Sequence, residues 1–275
     1  MKTAERSVQV DALSPSGEGL GRVDGKSVKV AGALPGERVR AVVHKDSARL
    51  VTIESPSPDR VEPRCSLHGE CGGCAWQHAS PSLQRSLRVE RIRRALPPAL
   101  RELEIGYVPA PQSYRYRTRA RLGWAVRKGV VLLGHRARSS EEVVDAKECP
   151  VLDERLESAL EPLREVLAAV GAEGEVSLAL GVGGNPVASI HPTRDVPATG
   201  FGVCAKLVEY GLAGAALWPP GATSPTVEGD PRAVVRGADD EPLILGVDGF
   251  AQANEALNVE LAAAVRRSAE ADGSV

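Results

Sequence analysis

Cys65, Cys71 and Cys74 fall within ten consecutive residues, and Cys149 follows only after a long interval. If all four sulfurs serve one centre, as their grouping predicts, a segment near residue 149 must return to a loop near residue 70. Four thiolates suffice for a tetrahedral zinc site or for a cubane cluster with one thiolate per iron, and spacing alone does not choose between them. Gly72 and Gly73 lie inside the C-x2-C pair and form a flexible turn, which lets backbone amides point at sulfur and so favours an electron-rich cluster. The pattern is neither the C-x3-C-x2-C of radical chemistry nor a ferredoxin spacing. His68 and His78 lie close by, and either could replace a thiolate on zinc. With four cysteines completing the shell, they read as surface residues or as supports of the ligands. Cys204 has no visible partner and reads as a small buried hydrophobe. An odd total of five cysteines fits metal ligation in a reducing compartment better than a disulfide framework.

The 275 residues are 43% hydrophobic and only 3% aromatic, so more than one domain is expected, with cores of Val, Leu, Ile and Ala. The N-terminus lacks the apolar run of a signal peptide, and no stretch is long and apolar enough to span a membrane. A cytoplasmic protein without membrane contact, and a monomer, is therefore expected. The formal charge of −2 hides a segregation. Residues 85–138 hold 14 Lys or Arg against three acids, about +11, which leaves about −13 on the remainder. A basic segment on an acidic chain suits a polyanion, because counterions are released only where cations are concentrated.

Residues 7–53 alternate short β-rich runs with turns at Asp24-Gly25 and Pro35-Gly36, which predicts five strands and a small closed barrel. Residues 55–63, with three prolines, read as a linker. Ser80-Pro81 predicts a helix start, with Leu83, Leu87, Ile92 and Leu96 at roughly helical spacing and an end at Pro97-Pro98. In residues 114–122 every second position is arginine, so a strand would put Arg115, Arg117, Arg119 and Arg121 on one exposed face. A hairpin turning at Arg127-Lys128-Gly129 and a basic loop carrying Arg136 and Arg138 follow. A helix is then expected with Leu152, Leu156, Leu160, Leu163 and Leu167 as its apolar positions. Residues 175–250 read as three strands and a helix near 203–211, and a last helix is expected near 255–270 with Leu257, Leu261 and Val265 four apart.

Five ordered motifs now point to one family. The run GEGLGRVDGK with VAGALPGERV resembles a TRAM domain, an RNA-binding barrel of the oligonucleotide-binding type. The segment from Cys65 to Ser80 resembles the cluster motif of the iron-sulfur RNA uracil-C5 methyltransferases, which make 5-methyluridine in bacterial ribosomal and transfer RNA. YRYRTRARL at 114–122, GHRARSSEEVVDAKECPVL at 134–152 and Phe250-Ala-Gln252-Ala-Asn254 are similar to further motifs of that family. The resemblance implies a multidomain α+β protein. An OB-like TRAM barrel at 1–58 would precede an iron-sulfur α+β central domain at 59–80 and 115–249. Residues 81–114 and 250–275 would pack on a Rossmann-like methyltransferase domain that is missing here.

The resemblance also implies a 4Fe-4S cluster on Cys65, Cys71, Cys74 and Cys149, S-adenosylmethionine beside Gln252, and a structured rRNA or tRNA as partner, met by Arg115, Arg117, Arg119, Arg121, Arg136 and Arg138. In the family a cysteine adds to uracil C6, C5 attacks the methyl sulfonium, and a base then removes the C5 proton. The Gly-rich cofactor loop, the nucleophilic cysteine and the base find no match in these 275 residues. GEGLG at 17–21 and GVGGN at 181–185 are not followed by helices and do not read as cofactor loops. No catalytic residue is therefore expected in this chain, which alone should bind RNA without methylating it. The alternative is a non-catalytic RNA-binding protein whose four-cysteine centre is structural or redox-active.

Overall fold

A computed structural model of the chain describes residues 5–271 apart from 15, 139, 238 and 240. Ser139 of the expected basic loop and residues 272–275 of the last segment lie outside the described residues. The chain divides into two compact units, Met1–Pro109 and Ala110–Val275.

In the first unit, β1 (Glu5–Leu13), β2 (Gly19–Val23), β3 (Lys26–Val30), β4 (Arg38–His44) and β5 (Ser47–Ser55) close into a barrel of order β1-β2-β3-β5-β4. Alternation along each strand sends Val8, Val10, Val28, Val30, Val39 and Ala41 into one core. The β2–β3 hairpin turns on Asp24 (φ 50°) and Gly25 (φ 75°), the two positive-φ residues that an Asp-Gly pair supplies. At Gly21 a Cβ would lie 2.4 Å from the Gln9 carbonyl oxygen, so the crossing of β1 and β2 requires glycine.

The expected linker is tied to this barrel. Arg60 donates from Nε to Glu37 Oε1 at 2.6 Å and from a terminal nitrogen to the Gly32 carbonyl at 2.6 Å. Glu37 is fully buried and also accepts from the Leu34 and Ser57 N–H groups. Burial alone would raise its pKa, but the Arg60 hydrogen bond and the two amides outweigh burial and hold it below the usual value.

The helix α1 (Pro81–Ala95) starts as the sequence predicts, with the Ser80 side chain accepting from the Leu83 N–H and proline at its first position. None of its residues is buried.

In the second unit, β6 (Arg119–Arg127) and β7 (Val130–Gly134) form the expected hairpin, turning on Lys128 (φ 52°) and Gly129 (φ 80°). The single helix expected across Leu152–Leu167 is two, α2 (Glu154–Ser158) and α3 (Leu160–Val170), which meet at Ala159. Leu152 precedes both, yet it is buried together with Leu156, Leu160, Leu163 and Leu167. Next come β8 (Glu173–Leu180), β9 (Pro186–Pro192), α4 (Val203–Glu209) and β10 (Gly214–Leu217). Then follow β11 (Thr226–Gly229), β12 (Arg232–Arg236), β13 (Pro242–Gly246) and α5 (Glu255–Ala271).

Strands β11-β10-β9-β8-β6-β7 make one mixed sheet, and β12 pairs with β13 in a separate ribbon. One face of the sheet is apolar, with Leu122, Trp124, Val176, Leu178, Ile190 and Leu217 all buried on the side of α3 and α4. Trp124 stands opposite Gly174, where a Cβ would lie 2.1 Å from the indole ring. The three strands β11–β13 were not foreseen. Residues of β11 and β13 are almost all exposed and carry no buried alternation, and the alternation of β12, which buries Ala233 and Val235, spans only five residues.

Candidate functional site

In the first unit, Cys65, Cys71 and Cys74 sit half-buried on a loop of tight turns. The His68 N–H bonds to the Cys65 carbonyl (3.1 Å), and the Cys71 N–H bonds to the Leu67 carbonyl (3.0 Å). Gln77 Oε1 accepts the Cys65 N–H at 3.2 Å. The Gly73 N–H donates to Cys71 Sγ at 3.4 Å, the amide-to-sulfur contact that the glycine pair makes possible.

The loop is fastened within its unit. The Trp76 indole N–H donates to the Gly17 carbonyl at 3.2 Å, and Gln84 Nε2 of α1 bonds the carbonyls of Trp76 and Ala79. His68 Nε2 and His78 Nδ1 share a 2.8 Å hydrogen bond, and His78 is buried.

In the second unit, Cys149 is buried and its N–H donates to Glu157 Oε1 at 2.7 Å. The segment that leads to it returns along β7. The Ala146 N–H bonds to the Leu133 carbonyl, and Arg164, itself buried, spans the Leu133 and Ala146 carbonyls while pairing with Asp145 at 2.9 Å. Among the described residues no three His, Cys, Asp or Glu form a group that could hold a metal ion.

The four alternate arginines do not share one exposed strand face. The strand begins only at Arg119, because Arg115 takes a positive φ (56°) and breaks the alternation. Arg115 turns inward to the Glu157 carboxylate and the Leu152 carbonyl. Arg117 bridges Leu152 and Asn254 through its backbone. Arg119 is buried and donates to the carbonyls of Val247 (2.8 Å) and Gly249 (3.0 Å), and desolvation lowers its pKa. Arg121 alone of the four is exposed. Arg136 donates to the Glu141 carbonyl and pairs with Glu141 and Glu175, and Arg138 is half-buried.

At the start of α5, Asn254 Oδ1 accepts the Leu257 N–H as an N-cap, and the Ala253 carbonyl accepts both the N–H and the hydroxyl of Thr118. Gln252 is exposed, and Phe250 is 86% exposed. Neither glycine-rich stretch is built as a cofactor loop. Gly19 and Gly21 belong to a barrel strand, and residues 181–185 form the turn between the antiparallel strands β8 and β9. A hydrogen-bonded group of Ser189, His191 and Asp248 escaped the sequence reading, since His191 and Asp248 are 57 residues apart and no motif joins them.

The closed five-stranded barrel at the start of the chain is a TRAM domain: residues 1–54 match the family model described as TRAM domain. The chain is 38% identical over 174 residues to the 23S rRNA (uracil(1939)-C(5))-methyltransferase RlmD of Pectobacterium atrosepticum, covering 60% of this chain and 39% of that one. It is 37% identical over 211 residues to the protein of the same name from Bordetella avium, covering 68% of this chain and 42% of the relative. For that of Halomonas elongata the identity is 41% over 181 residues, with 62% and 37% covered. The chain is thus similar in sequence to proteins named 23S rRNA uracil-C5 methyltransferases and spans about two-fifths of the length of the curated relatives it matches. No helix among the described residues is long and apolar enough to cross a membrane.

Proposed function

We propose that residues 1–275 are the RNA-binding and uridine-presenting part of a cytoplasmic, S-adenosylmethionine-dependent RNA uracil-C5 methyltransferase. The observation that carries this reading is the 37–41% identity to 23S rRNA methyltransferases, reinforced by the TRAM match. In this reading the barrel and the basic segment hold the RNA, and Gln252 lies at the border of the methyl-donor pocket. The donor supplies an electrophilic methyl group, and no residue of these 275 is assigned to accept or transfer it. The 275-residue chain should bind a uridine-containing fragment of 23S rRNA, shown by a mobility shift, and leave it unmethylated in the presence of S-adenosylmethionine. Robust formation of 5-methyluridine by this chain alone would overturn the division of labour, and failure to retain RNA at low salt would overturn the binding role.

The same reading assigns a 4Fe-4S cluster to Cys65, Cys71, Cys74 and Cys149. Its support is the all-sulfur donor set and the Gly73 amide turned toward the Cys71 sulfur, an interaction that stabilises thiolate charge. A bound cluster would keep these thiolates ionised and order the loops that carry them. Protein purified without oxygen should be brown, with about four irons and four sulfides per chain. Cys149→Ser should lose iron as readily as Cys71→Ser. A colourless protein holding one zinc would refute the cluster, and a Cys149→Ser variant with full iron would remove the fourth ligand from the assignment.

A further inference from the structure

Residues directly opposite on neighbouring strands project to the same side of a sheet. In the second unit Arg121 stands opposite Ser177, Ser177 opposite Ser189, and Glu175 opposite His191. Leu217 is opposite Ile190 in parallel register, and the Trp218 N–H donates to the Ile190 carbonyl at 2.9 Å, which sets Trp218 beside His191. These residues therefore line the face turned away from the apolar one. Part of that face is buried, with Ala179 and Val187 packed against Ala233 and Val247, and the remainder is polar and carries two aromatic rings that are not in the core.

The imidazole of His191 and the indole of Trp218 are parallel to within 6°, with centroids 6.3 Å apart. The His191 side chain is 40% exposed and Trp218 is half-buried. The imidazole is held in its plane from one edge, because Nε2 lies 2.9 Å from Ser189 Oγ and 3.1 Å from Asp248 Oδ2. Ser177 and Ser189 also bond Asp248, and this network holds the carboxylate ionised, far below its ordinary pKa. The group is not a hydrolytic triad. Ser189 is fully buried, and serine and aspartate approach the same ring nitrogen, which leaves no base positioned between nucleophile and orienting acid. What remains is a pair of rigid, parallel π-faces on a polar sheet surface, with the exposed Arg121 two strands away.

We propose that this sheet face binds single-stranded RNA, with one unpaired base stacked on the parallel rings of His191 and Trp218 and Arg121 meeting a phosphate. A base stacked on the exposed face of either ring lies parallel to the other, so the two rings set one common stacking direction. Bases paired in an A-form helix are stacked on their neighbours and cannot reach such a platform, which selects unpaired nucleotides. Asp248 and Ser189 are positioning residues that hold the imidazole plane. The inference rests on the RNA-binding reading above and adds to it the site and the form of RNA.

The test is the affinity of the 275-residue chain for a labelled single-stranded octaribonucleotide, read by fluorescence anisotropy over a range of salt. Trp218→Ala should weaken binding about tenfold without changing the salt slope, because stacking releases no counterions, and Trp218→Phe should restore most of the loss. His191→Ala should weaken it too, whereas Arg121→Gln should lower the slope by about one. The Trp218 and His191 variants should leave binding of a blunt RNA duplex unchanged. A parent chain that binds the octamer while Trp218→Ala and His191→Ala, both with parental melting curves, bind it equally well would overturn the site and leave the RNA-binding reading standing. A parent chain that binds no RNA would overturn both.

Discussion

Single side chains show how this chain handles buried charge. Glu37 is fully buried yet accepts from Arg60, Leu34 and Ser57, so its charge is compensated on every side the barrel leaves open. Removing it with Glu37→Ala would strand a guanidinium and two amides. We expect a loss of about 3 kcal/mol, measured as a fall in the thermal or urea midpoint. A midpoint within experimental error of the parent would contradict that role. His135 presents the opposite case. Burial, aided by the charge of Arg117 and resisted by a hydrogen bond to the Arg121 backbone, pushes its pKa down to about 4. A group with a depressed folded pKa that must stay neutral contributes stability fully above its ordinary value of 6.5, and loses it as pH falls toward 4. The loss should approach about 3 kcal/mol, and His135→Gln should flatten the stability profile across that window. An equally steep profile in the variant would show that other groups take up the protons. Glu37 adds to the same trend at lower pH, since its folded pKa lies below 4.5 and its contribution disappears as pH falls through that range.

At the scale of elements, packing against one face decides which substitutions matter. Gly174 lets the Trp124 indole lie flat across β8, where a methyl group would meet the ring at 2.1 Å and the His191 carbonyl oxygen at 2.4 Å. Gly174→Ala should cost about 1–3 kcal/mol, seen as a lowered melting temperature. Along α5, Leu261 is 54% exposed and Val265 63% exposed, so the apolar stripe expected to pack on a missing domain has no cover among the described residues. Leu261→Lys and Val265→Lys should therefore change the stability of the 275-residue chain by less than about 0.5 kcal/mol. A loss of several times that would mean that the stripe is packed in solution. The alternating arginines teach the same lesson from the other side. The period of two was visible in the sequence, but a positive φ at Arg115 takes the first two out of the strand, and only carbonyls brought in from residues 247 and 249 explain why Arg119 is buried.

For the molecule as a whole, net charge is a poor guide to its partners. A chain of formal charge −2 with about +11 on residues 85–138 should bind RNA at low salt despite an acidic pI of about 6.3. Affinity should fall at least about tenfold between 50 and 200 mM salt, followed by anisotropy with a structured RNA. A flat salt dependence would show that the arginines are consumed by internal pairs such as those of Arg94, Arg115 and Arg136.

Local chemistry by itself determined much of this protein. Turn pairs such as Asp24-Gly25 and Lys128-Gly129, the Ser80-Pro81 helix start and the short β-rich runs between turns in residues 7–53 fix hairpins, a helix and a barrel, because each depends on only a few neighbouring dihedrals and one buried face. The motifs around Cys65–Ser80 and Phe250–Asn254 also carried the likeness to RNA uracil-C5 methyltransferases, since their spacing is local. Only the tertiary structure decided which arginines face solvent, and only it brought His191, Trp218 and Asp248 together. Those outcomes depend on strand order and register between segments tens of residues apart, and neither is set by the residues of one segment.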